Sequence, residues 1–206
     1  MSNSPVEDRK TRRRMSATER RAQIVAAAAN LYDRRGYSNT SMDELASELG
    51  IAKPTLYHYF SSKDEILHAI HEEFIDLLLD RHAERAESAL APADALLAVM
   101  TDVLSLMQTH RGHVRVFFEH FRELAPRDRI PVRRKRKAYE DIVCEIILDG
   151  IDKGVFKPID ARMATMAVFG MCNWAYQWYS PQRGGYQAIA QTFHEFIMYG
   201  MASRPG

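Results

Sequence analysis

The chain has 206 residues, 46% hydrophobic and 27% charged, with a formal net charge of +1. That length allows one or two domains with a sizeable core, and the balance excludes a low-complexity or unfolded polymer. Two cysteines, Cys144 and Cys172, exclude a disulfide scaffold and read as buried free thiols of a reducing cytosol.

Charge is unevenly placed. Residues 1–63 hold 11 Lys+Arg against 7 Asp+Glu, and the remainder is net negative. A basic N-terminal third is what a DNA-binding end requires, although so small an excess does not establish one. Residues 1–15 lack periodicity and form a basic arm, expected to be disordered. The run Arg9-Lys10-Thr11-Arg12-Arg13-Arg14 suits either a solvated tail or added phosphate and minor-groove contacts. The opening lacks the apolar run of a secretory signal, so a cytoplasmic protein is expected.

A first helix is expected from about Thr18 to Arg35, with Ile24, Ala27, Ala28, Leu31 and Tyr32 as its buried stripe and Gly36 at its end. From Thr40 to Lys63 the chain reads as a helix-turn-helix followed by the start of a further helix. Thr40 or Ser41 caps the second helix, Asp43 and Glu44 suit its first turn, and Leu45, Ala46 and Leu49 face inward. Gly50 suits the left-handed turn, and Pro54 fits the first turn of a third helix. Leu56 and Phe60 point inward there. Lys53, Thr55, Tyr57, His58 and Tyr59 are left outward, a set able to touch phosphates and base edges. Ser61 or Ser62, with Glu65, caps a long fourth helix whose apolar stripe runs to about Ser88 and which reads as a strut.

Five more helices follow. One starts at Pro92, one near Gly112 and carries Phe117, Phe118 and Phe121, and one starts after Pro131 and ends at Gly154. The last two span about Ala161–Tyr179 and Tyr186–Met201. Met163 to Gln182 carries no charge, yet Asn173, Gln177, Ser180 and Pro181 favour a buried interface helix over a membrane span. No strand pattern or repeat appears. The expected fold is all-α, with a three-helix helix-turn-helix domain over residues 16–62 and a six-helix ligand-binding and dimerisation domain over residues 63–206.

The stretch from Thr40 to Lys63 resembles the DNA-binding signature of the tetracycline-repressor (TetR) family of bacterial transcription regulators. The matching residues are Thr40, Leu45-Ala46, Leu49-Gly50-Ile51, Pro54-Thr55-Leu56-Tyr57, Tyr59-Phe60, Lys63-Asp64 and Leu67. With the preceding helix they cover about the first third of the chain; the remainder is similar only in helix number and length. The resemblance implies a homodimer on a palindromic operator in double-stranded DNA. Thr40, Tyr57 and Lys63 would contact phosphate, and Lys53, Thr55 and His58 would lie nearer bases, with Pro54 and Tyr59 completing the DNA-facing segment. Lys53 suits the adjacent O6 and N7 acceptors of guanine.

The resemblance also implies a small effector inside the second domain. Flexible methionines and polar-tipped aromatics tilt the reading of these helices towards a cavity rather than plain core. The expected lining is Met100, Leu104, Met107, Phe117, Phe118, Phe121, Tyr139, Val143, Met166, Phe169, Trp174 and Trp178. The segment Asn173 to Pro181, followed by Gly184-Gly185, is similar to one in a subgroup that controls fatty-acid or sterol catabolism and responds to acyl-CoA thioesters. An acyl chain suits the Met/Phe lining, and a CoA phosphate would need cations such as Arg115, Arg122, Arg133 or Arg136. The run Arg133 to Lys137 otherwise reads as a solvated helix face. The last two helices are apolar over more than one face and are expected to form the dimer surface, with Phe193, Phe196, Ile197 and Met201 joined by Phe169 and Trp174.

Among eight histidines, His68/His71 and His110/His113 have i, i+3 spacing but no matching cysteine or carboxylate ligands, so no metal is expected. No nucleophile–base pair, phosphate loop or paired-carboxylate motif points to catalysis, and no cofactor is expected. The competing reading is an all-α lipid or acyl carrier whose helix-turn-helix is incidental. Salt-dependent binding to a palindromic duplex separates the two.

Overall fold

A computed structural model of the chain describes residues 15–85 and 88–201; the basic arm lies outside the described residues, apart from Met15. Nine α-helices occur among the described residues, with short 3-10 turns between some of them.

The head is α1 (Ala17–Arg35), α2 (Met42–Leu49) and α3 (Lys53–Tyr59). α1 opens on a capping box, in which the Ser16 hydroxyl accepts from the Glu19 N–H and the Glu19 carboxylate accepts from the Ser16 N–H. Ser41 and Glu44 form the same box on α2, so Ser41, not Thr40, is its cap. Gly50 closes α2 in the left-handed region at φ 61, and the Ile51 N–H reaches the Ala46 carbonyl at 3.0 Å. This pairing satisfies the last carbonyls of α2 and turns the chain directly into α3. Leu45, Leu56, Ile24 and Tyr32 are fully buried where the three helices meet.

α4 (Lys63–Glu84) carries the chain from the head into the body and ends short of the expected Ser88. Ser62 caps it, but Glu65 reaches back to the Ser61 N–H at 2.8 Å rather than to Ser62. The expected capping box is thus displaced by one residue. The body adds α5 (Pro92–Thr109), α6 (Arg111–Glu119), α7 (Pro126–Asp152), α8 (Ala161–Trp174) and α9 (Tyr186–Met201).

Three expected boundaries are corrected. α6 stops at Glu119, and Phe121 begins a separate 3-10 turn to Glu123. α7 starts at Pro126 and runs through Pro131. Pro126 occupies the first turn, where no N–H is needed, and Pro131 lies soon enough after it that the helix forgoes one early bond while Val132 stays fully buried. α8 ends at Trp174, after which Ala175–Gln177 tightens into a 3-10 turn around the buried Ala175. No helix among the described residues is long and apolar enough to cross a membrane.

α9 packs against α5, and His194 Nε2 lies 3.0 Å from the Ala93 carbonyl. α6 packs against α1 and α4, so it touches head and strut together. Gly112 makes this possible. A Cβ there would stand 2.8 Å from the Ala29 carbonyl carbon and 2.9 Å from its oxygen. Beside it Arg115 pairs with Asp33 of α1 at 3.0 Å. Gly112→Ala must push α6 off α1. The expected loss is about 1–3 kcal/mol, the range for overpacking, and an unchanged urea midpoint would contradict this close approach.

Candidate DNA interface and effector cavity

α3 presents Lys53, Pro54, Thr55, Tyr57 and His58 to solvent while Leu56 anchors it from below. Tyr57 is 45% exposed. Tyr59 is half-buried, its ring edge-on to His58 at 5.2 Å, so its apolar body serves the head's packing. The Lys53 ammonium is 2.7 Å from the Asp43 carboxylate and 5.9 Å from the Tyr57 ring centre. Hydrogen bonding to Asp43 holds the Lys53 ammonium above its ordinary range, so a base contact by Lys53 has to compete with that carboxylate.

Thr40 is a correction. It is 2% exposed, and its hydroxyl donates to the Gly36 carbonyl at 3.0 Å because a buried hydroxyl needs a partner. Its side chain shapes the turn before α2 instead of facing solvent. Lys63 is half-buried and also turned onto the head. Its ammonium donates to the Tyr37 and Thr40 carbonyls, both at 3.3 Å, and stands 4.5 Å from the centre of the Tyr37 ring. The Tyr37 hydroxyl donates to Asp64, the next residue of α4. Burial, with that bond second, drives the Tyr37 phenol well above its ordinary pKa, so it remains a donor.

The body holds a cavity of about 280 Å³ between α4, α5, α6, α7 and α8. Of the expected lining, Phe117, Phe118, Tyr139, Met166 and Phe169 are there. Sequence reasoning missed Phe74, Ile75 and Leu78 of α4, Val103 of α5, Glu140 of α7, and Gly170 and Asn173 of α8 as lining; Arg136, expected only as a cation for a coenzyme phosphate, lines the cavity as well. The α4 residues were hidden in a stripe that reads equally well as strut packing. Glu140, next to the expected Tyr139 on α7, was the available signal.

The other expected lining residues are elsewhere. Met100, Leu104 and Val143 are fully buried core, because their helix faces meet other helices of the body directly. Met107 borders a separate small crevice with Tyr176 and Tyr179. Phe121 lies on the 3-10 turn under two arginines, Trp174 is 64% exposed, and Trp178 packs edge-on against Phe193 at 6.1 Å. On α9 only Phe196 is an exposed member of the expected dimer set. Ile197 and Met201 are buried and Phe193 is half-buried, since that face of α9 closes over the protein's own core. Met163 of α8 lines the same surface groove as Phe196, and Tyr199 of α9 and Trp174 of α8 are also exposed.

The Arg133–Lys137 run is not one solvated face. Lys135 binds Glu72 and Asp76 of α4 at 3.0 and 2.8 Å, Lys137 pairs with Asp141, and Arg136 lines the cavity. Of the other cations named for a phosphate, Arg115 is already paired with Asp33 and Glu119. Among the described residues no cluster of three potential metal ligands occurs; His110 and His113 lie edge-on at 5.6 Å.

His71 of α4 is fully buried against Phe117 and Phe121. Its Nδ1 is 2.9 Å from the Leu67 carbonyl, which can only accept, so Nδ1 carries the proton and Nε2 is left without a partner. Burial first, and then the positive charge of Arg136, lowers its pKa to about 4.

A short exposed helix on a three-helix head, a strut pinned to that head and a body with a cavity together make the architecture of a helix-turn-helix regulator. The chain belongs to the tetR family of bacterial regulatory proteins. That family's model matches residues 24–70, and the tetracyclin repressor-like C-terminal domain model matches residues 89–201. A curated relative is the HTH-type transcriptional repressor KstR2 of Mycobacterium tuberculosis, 24% identical over 187 residues, covering 88% of this chain and 92% of the relative. Among solved structures, the TetR family regulator PfmR of Thermus thermophilus superposes with a TM-score of 0.80 at 29% identity, over 86% of this chain and 97% of that one. AibR, solved with isovaleryl coenzyme A and operator DNA, gives 0.79 at 27% identity, over 87% and 98%. The protein is thus a transcriptional regulator, not an enzyme.

Two outcomes follow from this geometry. Tyr57→Ala is expected to weaken operator binding at least 10-fold, the scale of a lost charge-assisted bond of about 1.5–3 kcal/mol, with the melting temperature unchanged; wild-type gel-shift affinity would remove Tyr57 from the interface. The unfolded chain protonates His71 near its ordinary pKa, whereas the folded chain resists protonation down to about pH 4. Stability is therefore full at neutral pH and falls as pH drops through that window, by about 2 kcal/mol between pH 7.5 and 5. His71→Leu should flatten that slope in urea titrations, and an equally steep slope would show that other groups cause it.

Proposed function

We propose that the protein is a homodimeric repressor that binds a palindromic operator and is released by a small hydrophobic effector, with acyl-CoA thioesters of fatty-acid or sterol catabolism as the leading class. One observation carries this reading. Phe74, Ile75 and Leu78 line the cavity, and they belong to the same helix whose first residues, Lys63 and Asp64, grip the head. A ligand that enlarges the cavity displaces α4 and carries the head with it. The AibR complex supports the choice of class, because that relative was solved with an acyl-CoA and operator DNA. DNA contact is assigned to Lys53, Pro54, Thr55, Tyr57 and His58, with Lys63 and Tyr59 at the margin. A regulator of this kind works in the cytoplasm.

Two heads must stand about 34–36 Å apart to enter successive major grooves. The dimer surface is placed on α8 and α9, where Met163, Trp174, Phe196 and Tyr199 are exposed. The cavity of about 280 Å³ equals roughly nine water volumes at about 30 Å³ each. It therefore takes an acyl group of modest length, with a coenzyme portion left outside. An effector shifts the equilibrium only by its differential affinity for the two head spacings.

Titrating acyl-CoA esters of increasing chain length into the protein–operator complex tests the proposal. A saturating ester should lower operator affinity about 100-fold, equal to about 2.8 kcal/mol, and short or medium chains should act at the lowest concentration. Undiminished operator binding with every chain length would overturn the effector class.

A further inference from the structure

Arg133 and Arg136 lie one turn apart on α7, and both guanidinium groups stand over the Phe121 ring, at 5.6 and 5.4 Å from its centre. Arg136 also stands over Phe117, at 4.9 Å, and lines the cavity. Among the described residues neither has a carboxylate within ion-pair distance. Their neighbours do: Lys135 holds Glu72 and Asp76, and Lys137 holds Asp141. Glu140 lines the same cavity and supports the Arg136 charge only at longer range, while burial and the Arg133 charge oppose it. Arginine does not escape such a position by losing its proton. Arg136 is half-buried at the cavity wall and Arg133 is exposed beside it, so two positive charges share the Phe121 ring at the mouth of the cavity with no carboxylate of the described residues bound to either.

We infer that Arg133 and Arg136 form the anion-binding end of the effector site, so that the effector is an amphipathic anion with its apolar part in the cavity and its charged group on this arginine pair. The inference rests on the reading of the cavity as an effector site. Two planar guanidinium forks suit a carboxylate or a phosphate, because each presents paired donors to paired oxygens. The charge is supplied either by the carboxylate of a free acid or by a phosphate of a coenzyme thioester.

The location matters for output. Phe121 opens the 3-10 turn that follows His120, and the His120 ring is 6.3 Å from that of Tyr37. Tyr37 is the residue that Asp64 and Lys63 hold. An anion drawing the arginines together over Phe121 therefore acts one turn from the joint between head and strut. An apolar ligand in the cavity alone lacks this lever.

The test uses three ligands with one acyl chain: octanoate, octanoyl-CoA and methyl octanoate. Each is titrated calorimetrically into the full-length protein without DNA, at low and high salt, and into the double variant R133Q/R136Q. At least one anion should bind at least 10-fold more tightly than the methyl ester, weaken in high salt, and lose that advantage in the variant, while affinity for the methyl ester is unchanged. Octanoate as the tighter anion identifies a carboxylate, and octanoyl-CoA identifies a phosphate. Equal binding of all three, failure of both anions to bind, or an undiminished preference in the variant overturns the inference. Where the double variant folds poorly, R133Q alone, on an exposed side chain, should still reduce the preference for the anion, and an undiminished preference there overturns the inference. Arginine-dependent binding that leaves operator affinity unchanged would refute the effector-release reading alone, and release by methyl octanoate as effective as by the anions would refute the anion site alone.

Discussion

The joint between Tyr37 and the first turn of α4 is the constraint on which the rest depends. Lys63 and Asp64 are adjacent and opposite in charge, and each takes a different part of the same segment. The carboxylate accepts the Tyr37 hydroxyl, and the ammonium donates to the Tyr37 and Thr40 carbonyls. Tyr37 is 6% exposed and meets Tyr32 of α1 edge-on at 5.2 Å, so the joint continues into the head's core. A long helix transmits motion only if its end is held. Here the hold is made of partly buried, charge-assisted bonds, which are stronger than exposed ones.

α6 supplies a second hold of a different kind. Gly112 lets its backbone lie directly on Ala29, and Arg115 reaches Asp33. A few residues later the same helix places Phe117 and Phe118 in the cavity wall. α4 and α6 thus both run from cavity to head, and both are anchored at the head end. A change in cavity shape meets two stiff, packed helices, which shift as bodies because close-packed interiors do not deform continuously. In the proposed switch, the cavity's position on α4 and α6 therefore matters more than its size.

The polar residues of the body follow a related logic. α7 distributes its cations around the helix: Lys135 to the α4 carboxylates, Lys137 to Asp141, Arg133 and Arg136 to aromatic rings. His71, on α4 beneath those rings, stays neutral because burial and the nearby arginine oppose a second positive charge. The cavity is therefore lined mainly by apolar side chains, with Arg136 and Glu140 as its charged members.

The head was legible in the sequence because its signals are local. A capping residue, a left-handed glycine, a proline in a first turn and an i, i+4 apolar pair act within a few residues of one another, and the structure keeps the Gly50 turn, Pro54 in the first turn of α3, and buried Leu56 and Phe60. The all-α class and the order of the helices followed from apolar periodicity for the same reason. Tertiary structure alone decided how each helix is rotated against its neighbours. Phe74 and Ile75 became cavity wall while Met100 and Leu104 became solid core, and Ile197 and Met201 turned inward while Phe196 turned out. A periodic apolar stripe states that a helix has a buried face. It does not state whether another helix or an empty space lies opposite, because that depends on packing among residues far apart in the chain.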